Sequence, residues 1–164
     1  MLKFLLSKNY DINIPRNPNS FFIAIKNGDL SVLEYVHSLS PKLYLETNSV
    51  TKTTSLCEAF RHRHVLKYLI EGLKIQYNEH VPAENILLHA ASFYYTTPEA
   101  FQYLVDKVKN SDHLLHKLDE EGRSAADIAL KNTNLYEYLV NRLFHNATMS
   151  SEMPGSVFKT FLWV

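Results

Sequence analysis

Eight histidines, one cysteine and a run of carboxylates are where this sequence would carry chemistry, if it carries any. His62-Arg63-His64 sets two imidazoles two residues apart, a spacing that metal sites use. Arg61 and Arg63 would repel a cation there, and no cysteine or acidic cluster completes a ligand set. His89, His113 and His116 fall among apolar positions, where a histidine satisfied by its neighbours is expected rather than a ligand. His113 and His116 lie three apart and share a face if that stretch is helical. Cys57, between Leu56 and Glu58 on an apparent helix, reads as a buried structural thiol and not as a nucleophile. Asp119-Glu120-Glu121 reads as a solvated turn that could meet a basic partner, because no second group stands opposite it for acid–base work.

The known catalytic signatures are missing as well. Four glycines in the whole chain leave no phosphate-cradling loop. There is no Gly-x-Ser-x-Gly elbow, no His-Glu-x-x-His and no nucleophile beside a base. A non-enzymatic protein with no cofactor and no metal is expected. The 17 basic and 17 acidic side chains cancel, which argues against a general nucleic-acid or membrane-surface binder. A single cysteine excludes internal disulfides and fits a reducing compartment. Met1-Leu2-Lys3-Phe4-Leu5-Leu6 is too short for a signal-peptide core, and no apolar run is long enough to span a membrane. A monomeric cytoplasmic domain is therefore expected, with the host cytosol as an alternative should the chain be an effector.

The elements that would position any functional side chain repeat along the sequence. The clearest copy is Ala24-Ile25-Lys26-Asn27-Gly28-Asp29-Leu30-Ser31-Val32-Leu33-Glu34-Tyr35-Val36, and weaker copies centre on Ala59, Ala90 and Ala129. The anchoring alanines are separated by 35, 31 and 39 residues. A period in that range signals stacked pairs of short helices, each pair too thin to bury its apolar face alone. The small alanines imply close helix-to-helix contact. In the first full copy, Asn27-Gly28 is a helix stop, and Asp29 or Ser31 caps the next helix. In the third, Thr97, Pro98 and Glu99 form a good helix start. The stretch from Leu45 to Thr53 suits a projecting turn or hairpin.

These residues resemble the ankyrin repeat family. Its pattern runs Asp-x-x-Gly-x-Thr-Pro-Leu-His-x-Ala, then a Gly and a second helix. The fourth copy follows it as Asp119-Glu120-Glu121-Gly122-Arg123-Ser124-Ala125-Ala126-Asp127-Ile128-Ala129, and the first keeps the Ala24 to Gly28 spacing. Leu2 to Asn13 looks like the second half of a repeat with its exit loop. The intact Thr-Pro-Leu-His tetrapeptide is replaced by Asn19-Ser20-Phe21-Phe22, Thr54-Ser55-Leu56-Cys57, Asn85-Ile86-Leu87-Leu88 and Ser124-Ala125-Ala126-Asp127. The resemblance implies an all-α, ankyrin-like solenoid of about four and a half helix-turn-helix units with short turns or hairpins between them. The units would be residues 1–13, 14–47, 48–80, 81–117 and 118–146, together a repeat domain over 1–146. Residues 147–164 would form a linker and a tail, whose Phe158, Phe161, Leu162 and Trp163 either cap the last unit or dock on a partner. A start inside a unit reads either as a piece of a longer protein or as a degenerate N-terminal cap.

The resemblance also implies where a partner would sit: on the turn tips and the exposed side of the first helices. Carried over, the helix positions are Lys26 and Asn27, Arg61 and His62, Ser92 and Phe93, and Lys131 and Asn132. The tips are Pro15, Arg16 and Pro18; Val50, Thr51 and Thr53; Val81, Pro82 and Glu84; and Glu120, Glu121 and Arg123. Phe93, Tyr94 and Tyr95 break an otherwise basic stripe, and with Arg61 they are the expected anchors. The function expected is a protein–protein interaction module whose groove meets an acidic or mixed peptide surface. The alternative is the targeting arm of a larger enzyme, or of a bacterial or viral effector, with its catalytic part elsewhere.

Overall fold

A computed structural model describes residues 20–39, 41–42, 45, 47–48, 53–75, 85–109 and 111–149, the last six of these by backbone alone. The expected unit 1–13, the tips at Pro15, Arg16, Pro18, Val50, Thr51, Val81, Pro82 and Glu84, and the tail after Met149 lie outside the described residues. The described residues are helical, with no strand among them. They belong to two compact units, Met1–Gln76 and Tyr77–Val164.

In the first unit, α1 (Ser20–Asn27) buries Phe21, Phe22, Ala24 and Ile25, which recur along one helical stripe. Gly28 stops the helix with a left-handed φ of 71°. Its N–H reaches the Ile25 carbonyl at 3.1 Å and the Asp29 N–H reaches the Ala24 carbonyl at 3.1 Å, the paired bonds of a Schellman stop. Asp29 then caps α2 (Leu30–Leu39), its carboxylate accepting from the Val32 N–H at 3.0 Å and the Ser31 hydroxyl at 2.8 Å. Of the two cap candidates it is Asp29 that accepts. Asn48 N–H bonds the Thr53 carbonyl at 2.8 Å and Thr47 pairs antiparallel with Thr54, so residues 47–48 and 53–54 lie side by side. Next comes α3 (Ser55–Glu58), tightening into a 3-10 turn over Ala59–Arg61. It is followed by α4 (Arg63–Lys67), which widens into a π turn over Tyr68–Gly72. Helix α1 packs on both α2 and α3. Phe21, Phe22, Ile25, Leu33, Phe60, Leu66 and Leu69 are fully buried in this unit, each contributing about 1.5–3 kcal/mol of hydrophobic stabilisation.

The second unit repeats the scheme. Helix α5 (Ile86–Ala91) is followed by α6 (Pro98–Lys107), which starts as its sequence requires. Thr97 accepts from the Ala100 N–H at 3.3 Å, Pro98 needs no partner for its missing N–H, and Glu99 lies in the first turn. Helix α8 (Ala125–Ile128) continues as a 3-10 turn over Ala129–Lys131 and is followed by α9 (Thr133–Met149). Helix α5 packs on α6 and α8, and α6 packs on α9. First helices thus meet first helices in each unit, and in the second unit α6 meets α9. Ala24, Ala59, Ala90 and Ala129 are all at most 2% exposed, as close helix contact demands.

Three details depart from the sequence reading. A further short helix, α7 (Ser111–Leu115), fills the excursion after α6; it holds His113, while His116 falls in the turn beyond it. Leu115, 2% exposed, ties this extra turn to the core. Helix α9 runs to Met149, into the stretch read as linker, because no Pro or Gly follows Asn132 until Pro154. Two of the altered tetrapeptides still cap their helices, whereas Asn85 makes no side-chain cap bond to α5. Thr54 accepts from the Cys57 N–H at 3.3 Å, and Ser124 and Asp127 form a reciprocal capping box.

Candidate interaction surface

Cross-helix hydrogen bonds tie the copies together at one offset. His62 Nε2 donates to the Lys26 carbonyl at 2.9 Å and His64 Nε2 to the Gly28 carbonyl at 2.8 Å, each partner 36 residues away. In the second unit the Asn132 amide donates to the Thr96 carbonyl at 2.7 Å, again 36 residues away. The Gln102 side-chain carbonyl accepts from the Tyr138 hydroxyl, also 36 residues on, and from Arg142 Nη1 at 2.9 Å. His62 and Asn132 occupy the same place after their alanines, and each acts as a peg onto the preceding copy, His62 at the end of α1 and Asn132 at the loop carbonyl just before α6. The imidazole pair, whose ligand-like spacing the flanking arginines already spoke against as a metal site, is occupied with backbone carbonyls, its rings 5.8 Å apart. No group of three or more His, Cys, Asp or Glu side chains that could hold a metal comes together among the described residues.

The cysteine is structural in its surroundings. Cys57 is 6% exposed, and burial pushes its thiol above the ordinary range, although the Thr54 hydroxyl donates to its sulfur at 3.2 Å. A thiolate is thereby disfavoured, and so is nucleophilic chemistry.

The residues expected to meet a partner fall into two sets. Lys26 and Asn27 are exposed at the C-terminal end of α1, in the first unit. Arg61 is not a free cation: its Nε lies 3.2 Å from Glu58, whose side chain is 5% exposed and also accepts from the Thr53 hydroxyl at 2.8 Å. His62 is committed to Lys26. The first-unit stripe thus loses most of its expected positive step at Arg61, since a neighbouring carboxylate offsets the charge.

The second unit brings the remaining set together. The Phe93–Thr97 segment is tied down by Thr96, 2% exposed, whose hydroxyl donates to the Ala90 carbonyl at 2.6 Å. That fold-back sets rings side by side: His89 to Phe93 at 5.1 Å edge-on, Phe93 to Tyr95 at 5.2 Å, and Tyr95 to Tyr94 at 5.2 Å edge-on. Tyr94 ends the row 73% exposed. Beside His89 opens a groove of about 560 Å³ lined by Asn85, Leu88, His89, Lys117, Leu118, Asp119, Glu120 and Glu121. Burial pushes the His89 imidazole below its ordinary value, favouring the neutral ring.

The groove's far wall is a turn built on Asp119. One carboxylate oxygen accepts from the Glu121 N–H at 3.0 Å and the Arg123 N–H at 2.8 Å, the other from Arg123 Nε at 2.9 Å. The Arg123 N–H first, then its guanidinium, holds the Asp119 carboxyl below its usual range. Arg123 also reaches Glu121 at 2.7 Å, and Gly122 supplies the left-handed φ of 76° that the turn needs. Glu120, next in the turn, is exposed. Lys131 is exposed at the end of the 3-10 turn after α8.

The structure therefore joins Phe93, Tyr94 and Tyr95 to Glu120 and Glu121 through His89, a residue the sequence reading left among scattered histidines. Asn85, Leu88, Lys117 and Leu118 were missed as well. Leu88 and His89 follow Asn85 by three and four residues, the spacing of one helix face, which was the available signal. No helix among the described residues is long and apolar enough to cross a membrane. Comparison with models of known families, with curated proteins and with solved structures gives no match.

Proposed function

We propose that this chain is an ankyrin-like stack of two-helix units that works as a non-enzymatic protein–protein interaction module. Its partner would be gripped by turn tips and by the exposed side of the first helices. The observation that carries the reading is the 36-residue offset of the pegs His62 to Lys26, His64 to Gly28 and Asn132 to Thr96. A fixed offset of that kind is what stacked repeats need, because equivalent residues of successive units face one another. The pairing of α1 with α3, of α5 with α8 and of α6 with α9 supports it too. An experimental structure in which the segments around Ala24, Ala59, Ala90 and Ala129 do not superpose would reject the stack.

Binding itself is tested on the exposed positions, where a substitution leaves the core untouched. Partners captured from cell lysate by the full chain would be identified by mass spectrometry and their affinities measured against Lys26→Glu, Lys131→Glu and Tyr94→Ser. A true partner should lose about tenfold or more with at least one of them, the usual effect of altering an interface anchor or its steering charge. Unchanged affinity for all three variants rejects the assigned face.

A further inference from the structure

We propose that the groove between α5 and the Asp119 turn takes an extended basic segment of a partner protein, a Lys or Arg flanked by an apolar or aromatic residue. The inference rests on the interaction-module reading and names the partner's chemistry. Three observations lead to it. The groove wall carries the carboxylates of Asp119, Glu120 and Glu121 against a single lysine, Lys117, which already has an interaction of its own. Arg123 offsets Asp119 and Glu121 from outside the lining, which leaves Glu120 to present its charge to a ligand. The apolar lining is Leu88 at 8% exposure and Leu118 at 46%, and the lining residue His89 leads outside the groove to the ring row Phe93, Tyr95 and Tyr94, the last 73% exposed.

Each part of such a ligand has a counterpart. A cationic head finds Glu120 and the outer oxygens of the turn, and its methylene stem lies along Leu118. An aromatic or aliphatic neighbour finds Tyr94 and the ring row, where an aromatic contact adds to the area buried. A cation can also sit over the exposed Tyr94 ring. An acidic segment would instead bring its carboxylates against Glu120 and Glu121, which costs binding. The groove thus selects by charge and holds by apolar contact.

The test is selection of random twelve-residue peptides displayed on phage against the full chain, with the enriched peptides synthesised and measured by fluorescence anisotropy. The expected pool is rich in Lys or Arg beside Leu, Phe, Tyr or Trp, and its binding weakens as salt rises. Glu120→Lys combined with Glu121→Lys, both exposed positions, should weaken that binding about tenfold or more, and Leu118→Ser should weaken it less. Circular dichroism of each variant separates lost binding from lost folding. An acidic or uncharged pool whose binding still falls with Leu118→Ser overturns the proposed chemistry while leaving the interaction module standing. No enriched pool, or one whose binding ignores the groove variants and Tyr94→Ser alike, overturns both. Self-association that the double reversal abolishes would make a second copy the occupant and overturn the proposal.

Discussion

Gly28 and Gly122 have almost the same backbone angle and very different surroundings, so the pair measures what a peg contact is worth. Both adopt a left-handed φ, 71° and 76°, which a side chain disfavours. A Cβ at Gly28 would meet the His62 ring at 3.0 Å, whereas one at Gly122 would meet nothing within 4 Å. Gly122→Ala should therefore cost about 1 kcal/mol from the backbone alone. Gly28→Ala should cost more, on the order of 2 kcal/mol, because the His62 ring that bonds Lys26 must also move. Urea unfolding of both variants checks this, and equal losses would mean that the ring gives way freely. The glycine was legible in sequence as a helix stop. Its second role was not, because His62 lies far along the chain and only folding lays its ring on that glycine.

Helix starts show how divergent units keep their shape. Helix α8 has four residues before its 3-10 turn, too few to persist on helix propensity, so its ends must be held by caps and packing. Ser124 accepts from the Asp127 N–H at 3.3 Å while Asp127 accepts from the Ser124 N–H at 2.8 Å. Ser124→Ala removes one half of that box and should lower stability by about 1 kcal/mol, measured by thermal unfolding. Ser124→Thr keeps the oxygen and should stay near the parent, which separates the cap from a mere size effect. The caps at Asp29 and Thr97 were readable because a helix N-terminus is satisfied within four residues, whereas the Ser124–Asp127 box was passed over as a departure from the family tetrapeptide. The antiparallel pairing of Asn48 with Thr53 falls within the stretch read as a turn or hairpin, whose polar and β-branched residues gave the signal. Helix α7 was not readable, since Ser111–Leu115 has no length for a period and forms by packing Leu115 inward.

At the scale of the whole molecule, each unit buries its own apolar side chains, Phe60 at 0% exposure in the first and Phe101 at 0% in the second. In the proposed repeat array, stability would be close to a sum of local terms, and damage would stay near its source. Phe60→Ala should cost about 3–5 kcal/mol through transfer and cavity losses. Hydrogen exchange should then quicken across residues 20–75 before it quickens across 85–143. Equal loss of protection in both segments would point to one cooperative core and against a stacked array. The proposed grip on partners belongs to this scale too, because its elements come from α5, the ring row and the Asp119 turn together.

What the sequence determined by itself was the helical character, the alanine-centred copies, the helix stops and caps, and the lack of any catalytic signature. Those are local properties, set by neighbours within a turn or two of chain. Tertiary structure decided which charges remain available and which side chains share a surface. Arg61 reads as a free cation in sequence but lies against Glu58, which packing has buried; His89 reads as an isolated histidine but stands between the ring row and an acidic turn about thirty residues on. Charge compensation and burial depend on distance in space, and only the packing of the helices sets those distances.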